Sequence, residues 1–88
     1  SLRAPPNPFN PSTRLSFELP ADGRVRLAVY GLSGRRLATL HEGLLPAGPA
    51  AFDWQGRDDA DRPLASGVYF ARIDHAGGSH RSKLVMIR

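Results

Sequence analysis

Apolar and polar positions alternate with a period of two along most of this chain. In Arg14-Leu15-Ser16-Phe17-Glu18-Leu19 one face carries Leu15, Phe17 and Leu19 and the other Arg14, Ser16 and Glu18. In Arg24-Val25-Arg26-Leu27-Ala28-Val29-Tyr30 the inward set is Val25, Leu27 and Val29, with Arg24, Arg26 and Ala28 outward. Successive strand side chains point to opposite faces, so each stretch predicts a half-buried β-strand. Ala50, Phe52 and Trp54 alternate likewise with Ala51 and Asp53. Gly67-Val68-Tyr69-Phe70-Ala71-Arg72-Ile73-Asp74 is apolar on both faces, which predicts a strand central to its sheet. A further strand over residues 81–88 ends in the apolar run Leu84-Val85-Met86-Ile87. Leu37 and Leu40 stand three apart within residues 35–41, a helical interval. That segment lies between glycine-rich turns and is too short for a helix, so it predicts a strand with a bulge.

Turn residues punctuate these runs. Pro20-Ala21-Asp22-Gly23 pairs a proline that presets φ with a glycine that tolerates positive φ, and Gly31-Leu32-Ser33-Gly34, Leu45-Pro46-Ala47-Gly48-Pro49 and Ala76-Gly77-Gly78-Ser79 are further reversals. Short strands at regular spacing, without a helical segment, predict an all-β antiparallel sandwich. Before the first strand, Asn7-Pro8-Phe9-Asn10-Pro11 carries two prolines whose missing N–H groups rule out helix and central strand. Residues 1–13 therefore read as an extended, Pro-rich lead-in.

With 88 residues the chain is read as one domain, 1–88, able to bury about 60 to 65% of its extended-chain surface. It has no cysteine, which removes an inter-sheet disulfide and any thiolate metal site. No stretch approaches the roughly 18 apolar residues of a membrane-spanning helix, and Ser1-Leu2-Arg3-Ala4-Pro5-Pro6 has none of the features of a signal peptide. The lack of an initiating methionine points to covalently linked upstream domains and a targeting signal elsewhere. Twelve basic residues against 8 acidic ones give a formal charge of +4, and Lys83 is the only lysine. The arginines are spread among all strands and loops, whereas a phosphate-binding face clusters them and interleaves aromatics; no nucleic-acid partner is expected.

Candidate chemistry is sparse. Asp58-Asp59-Ala60-Asp61 is the main concentration of carboxylates, but Pro63 and Leu64 stand where a calcium loop would continue its ligands. Asx-turns within the loop are the expected role. His41, His75 and His80 are scattered among strand ends, with His75 and His80 flanking one hairpin, and no serine sits in a nucleophile-elbow pattern. The chain is expected to be no enzyme, with no catalytic, cofactor-binding or metal-ligating residues. Trp54 shares a strand face with Phe52 and is expected in the core, leaving Tyr30, on outward parity, as the surface aromatic.

Five pieces in order carry a resemblance. They are Asn7-Pro8-Phe9-Asn10-Pro11-Ser12-Thr13, Val29-Tyr30-Gly31-Leu32-Ser33-Gly34-Arg35-Arg36-Leu37, Trp54-Gln55-Gly56-Arg57-Asp58, Ala65-Ser66-Gly67-Val68-Tyr69-Phe70 and Lys83-Leu84-Val85-Met86-Ile87-Arg88. Together they resemble the C-terminal sorting domain of type IX secretion cargo, and are similar also to the immunoglobulin-like repeat of the flagellar hook-capping protein. The resemblance implies an immunoglobulin-like sandwich of about seven strands, at the C-terminus of a larger secreted bacterial protein. It further implies that outer-membrane secretion or attachment machinery reads the module, by way of the periplasm and outer membrane, and leaves its parent secreted or on the cell surface. The positions it marks for translocon recognition are Gly67, Tyr69, Lys83, Leu84, Val85, Met86, Ile87 and Arg88. Many sorting domains place a proline two residues before that glycine; here Pro63 lies four before Gly67, as in the hook-capping-like repeats. A structural spacer is the alternative, and a carbohydrate-binding module a more distant one.

Overall fold

A computed structural model describes Leu2 and residues 12–87. The Asn-Pro-Phe-Asn-Pro lead-in and Arg88 lie outside the described residues. Six strands follow one another: β1 (Thr13–Leu19), β2 (Gly23–Tyr30), β3 (Arg36–Leu45), β4 (Gly48–Trp54), β5 (Gly67–His75) and β6 (Gly78–Met86). β1 pairs with β4 in a two-stranded sheet, and the other four form an antiparallel sheet in the order β3-β2-β5-β6. β5, apolar on both faces, is central, as the sequence predicts.

The inner faces of the two sheets meet in one core. Leu15, Phe17, Leu19 and Trp54 come from β1 and β4, while Val25, Leu27, Val29, Ala71, Ile73, Leu84 and Met86 come from the four-stranded sheet. Each fully buried aliphatic side chain contributes about 1.5 to 3 kcal/mol, so the alternation itself drives the pairing of the sheets. Phe17 and Phe52 stack across the β1–β4 ladder with centroids 6.1 Å apart.

Three departures from the sequence reading have physical causes. The described residues form six strands rather than about seven; residues 55–66 make only the isolated bridge between Arg57 and Pro63, because Pro63 has no N–H to extend a ladder. β3 carries two irregularities, since Leu27 pairs with His41 but Ala28 with Thr39, and Val29 with Ala38 but Tyr30 with Arg36. Leu40 and Leu37 are thus the extra residues, which explains their spacing of three, and the strand continues past His41 to Leu45. Ala28, on outward parity, is only 1% exposed because it lies between Thr39 and Arg72 on the neighbouring strands, whose larger side chains cover its methyl.

Turn chemistry fixes the register. Gly34 adopts φ 86°, and its N–H donates to the Gly31 carbonyl at 3.0 Å to close the β2–β3 reversal. In the β5–β6 hairpin, a Cβ on Gly77 would lie 2.9 Å from His75 Cε1, so a larger residue there would displace that ring.

Candidate functional site

The marked recognition positions fall on β5 and β6 and divide by face. Gly67 opens β5 opposite Met86, and Tyr69 sits opposite Leu84. Leu84 and Met86 are buried, at 0% and 1% exposure. Tyr69 packs edge-on against Trp54, with centroids 5.9 Å apart at 72°, and its hydroxyl donates to the Ala65 carbonyl at 2.6 Å. A tyrosine at the start of a strand bonded to backbone a few residues upstream is the corner found in immunoglobulin sandwiches. Val85 is half-buried, while Lys83 and Ile87 are exposed. The inward members therefore hold β6 in the sheet, and Lys83, Val85 and Ile87 face outward.

The two edges of the four-stranded sheet differ. On β3, the Asp59 N–H donates to the Leu37 carbonyl at 3.0 Å and the Thr39 N–H donates to Asp59 Oδ1 at 2.9 Å, so the aspartate loop covers that edge. Asp58 shapes the loop: its Oδ1 accepts from the N–H groups of Ala60 and Arg62, and its Oδ2 from Arg62 Nε at 3.1 Å. The bond from the Arg62 backbone, aided by its guanidinium, holds the Asp58 carboxyl below the usual carboxylate range. Asp61 takes a left-handed φ of 61°, a conformation aspartate tolerates. Asp58 thus makes the expected Asx-turn, whereas the Asp59 carboxylate ties the loop to β3. On β6, no described strand pairs with the outer side.

Among the described residues no group of three His, Cys, Asp or Glu side chains is placed to hold a metal ion. His75 and His80 stack at 5.6 Å beside a cleft of about 490 Å³ that Glu18, Leu19, Pro20 and Gly48 also line. His41 is not at a strand end; the bulge at Leu40 turns it inward against Phe52, 5.2 Å between centroids. Trp54 is 2% exposed and its Nε1 donates to the Arg57 carbonyl at 2.9 Å, so it offers no face for stacking a sugar.

Even scatter of arginine along the chain does not survive folding. Alternate positions on neighbouring strands gather Arg24, Arg26, Arg36, Arg72, Arg81 and Lys83 on the outer face of the four-stranded sheet, where Tyr30 and Phe70 are paired in register. Only Glu42 and Asp74 oppose them, so the face carries a surplus of four positive charges, as large as the +4 of the whole chain. Sequence reading missed this because the cations are far apart in the chain; parity on four strands was the available signal. Asp74 is shared by Arg72 Nε at 2.9 Å and Arg26 Nη2 at 3.8 Å. Arg81 lies over the Phe70 ring, 5.1 Å from its centroid.

Two antiparallel sheets closed over one core and a tyrosine corner define an immunoglobulin-like sandwich. The family model described as FlgD Ig-like domain matches residues 7–79, and the chain belongs to that family. No protein of curated function matches it. Its fold is similar to part of dimeric latent PorU from Porphyromonas gingivalis, with a TM-score of 0.77 and 18% identity over 98% of this chain and 9% of that one. It is similar also to FlgD from P. aeruginosa, with a TM-score of 0.62 and 24% identity over 82% of this chain and 57% of that one. The chain thus spans a small part of the first protein and little more than half of the second. No helix among the described residues is long and apolar enough to cross a membrane.

Proposed function

We propose that this chain is a non-catalytic sorting or attachment module, the part of a larger secreted bacterial protein that type IX secretion machinery reads. The observation that carries this reading is the placement of β6. It is the outermost described strand of its sheet, anchored by its inward Leu84 and Met86, while Lys83, Val85 and Ile87 are presented outward. Gly67 and Tyr69 pair with that strand from β5, and Arg88 follows it in the sequence. Membership of the immunoglobulin-like family supports a contact module over an enzyme. It equally fits the second reading, a structural spacer, which the spacing of Pro63 from Gly67 favours.

Export separates the two readings. Residues 1–88 fused behind a periplasm-directed reporter, in a type IX-competent host, should carry the reporter to the cell surface. Lys83→Glu with Arg88→Glu should cut export, with the change at the exposed Lys83 moving stability by no more than about 0.5 kcal/mol and a melting profile confirming that the double variant folds. A wild-type fusion retained in the periplasm would refute sorting and leave the spacer.

A further inference from the structure

We infer that a small cleft beside the β5–β6 hairpin is a binding site for a phosphate monoester group. The cleft has a volume of about 220 Å³ and is lined by Arg72, Ser79, His80 and Arg81. Register supplies the first argument. Arg72 on β5 stands directly opposite Arg81 on β6, so two guanidinium side chains start from Cβ atoms about 4.5 to 5.5 Å apart. Like charges placed directly opposite one another destabilise a sheet, and an anion held between them turns that repulsion into attraction. The Asp74 carboxylate does not cancel the pair, because it is shared between Arg72 Nε at 2.9 Å and Arg26 Nη2 at 3.8 Å. Arg81 lies over the Phe70 ring, 5.1 Å from its centroid, a contact that places the guanidinium and leaves its charge in full.

The donor set gives the second argument. A guanidinium offers five N–H groups and no acceptor, a serine hydroxyl donates, and an imidazole keeps an N–H in either tautomer. Among the described residues lining the cleft there is no carboxylate. Such a lining suits an oxyanion whose exposed atoms are acceptors. Asp74 engages Arg72 through Nε, which orients the side chain and leaves its two Nη groups for an anion. His80 is held beside the cleft by stacking on His75, with centroids 5.6 Å apart at 17°. All four lining residues are exposed, so a group reaches them from solvent without opening the fold. Charge then selects the ligand: a phosphate monoester carries about −1.5 to −2 at pH 7 on three acceptor oxygens, enough for both guanidiniums, whereas a carboxylate brings one charge and fills one fork. The volume lies below the roughly 300 to 1,000 Å³ of pockets that enclose a drug-sized ligand, so the cleft takes the phosphate group and leaves the rest of its bearer outside.

The cleft carries this inference whether or not secretion machinery reads the module, and the 88-residue chain suffices to test it. Glucose 6-phosphate is titrated into the chain in phosphate-free buffer, followed by calorimetry and by amide NMR shifts. It should bind at least tenfold more tightly than glucuronate, a sugar with a single carboxylate, and should move the amide signals of Arg72, Ser79, His80 and Arg81. Arg72→Gln and Arg81→Gln should each weaken binding by tenfold or more. Arg24→Gln, on the same basic face but outside the cleft, should leave the affinity within twofold, and melting profiles check that all three variants fold. Inorganic phosphate separates two sources of the group: equal affinity assigns the site to free phosphate, tighter binding of the ester assigns it to a phosphorylated sugar, and either result supports the site. No binding of either phosphate, glucuronate binding as tightly as the ester, or equal losses in Arg24→Gln and Arg81→Gln would each overturn the inference. Tighter binding of an oligothymidylate than of the ester would overturn it as well, in favour of a nucleic-acid surface spread over the whole face.

Discussion

Replacing Trp54 by alanine tests whether the large aromatics of this sandwich build the core or a ligand platform. Trp54 is 2% exposed, meets Tyr69 edge-on and donates its indole N–H to the Arg57 carbonyl. An aromatic side chain buries roughly 150 to 250 Å², which at about 25 cal/mol per Å² is about 4 to 6 kcal/mol of transfer free energy. Partial collapse of the site offsets some of that loss, and measured Trp→Ala changes in cores run to about 3 to 5 kcal/mol. Against this, a domain of 88 residues at about 0.05 to 0.15 kcal/mol per residue holds about 4 to 13 kcal/mol in total. Trp54→Ala should therefore remove a large share of the total stability and lower the urea midpoint accordingly. Trp54→Phe retains much of the packing and loses the donor, leaving the Arg57 carbonyl to find water, at a cost of about 1 to 2 kcal/mol. The substitution removes the only tryptophan, so urea unfolding is followed by far-ultraviolet circular dichroism rather than fluorescence. A Trp54→Ala protein with the wild-type urea midpoint would refute the core assignment and return the ring to ligand binding.

Two further outcomes follow from the loops. Tyr69→Phe removes only the hydroxyl that donates to the Ala65 carbonyl, and because Ala65 is exposed to water the loss should be about 1 kcal/mol; no change in urea midpoint would show the corner to be ornamental. The Asp58 carboxyl is held below its unfolded value, so its contribution is full above about pH 4 and is lost as pH falls through the lower folded value. Asp58→Asn should therefore be less stable than wild type at pH 7 and converge with it in acid, a difference read from melting temperatures between pH 7 and pH 2; parallel curves would contradict it.

The fold was legible where one face of a strand is apolar and the other polar. Leu15, Phe17, Leu19, Val25, Leu27 and Val29 are buried as their parity requires, and the both-face apolarity of β5 located it between two partners. Parity failed where a neighbour rather than the residue itself decides exposure, as at Ala28, a methyl between larger side chains. It failed again after the bulges of β3, where one extra residue inverts the facing of everything beyond and His41 turns inward. The site was less legible still, because the basic face exists only once β2, β3, β5 and β6 are laid side by side. In the sequence Arg36 and Lys83 are unrelated; in the sheet they end one row, with Tyr30 and Phe70 between them.

That arrangement also determines which experiments on β6 are informative. A strand gives alternate residues to opposite faces, so β6 packs Leu84 and Met86 into the core and sets Arg81, Lys83 and Val85 outward, where the proposed recognition would occur. Deleting residues 83–88 removes both at once. A loss of export would then follow equally from a missing recognition strand and from a core deprived of two fully buried side chains worth about 1.5 to 3 kcal/mol each. Charge reversal on the outward set leaves the inward set in place, so a folded variant that has lost its contact can arise only from the outer face. The same reasoning runs in reverse: Leu84→Ala should lower stability by about 2 to 5 kcal/mol while the outward charges persist, and should impair export only in proportion to the unfolded fraction.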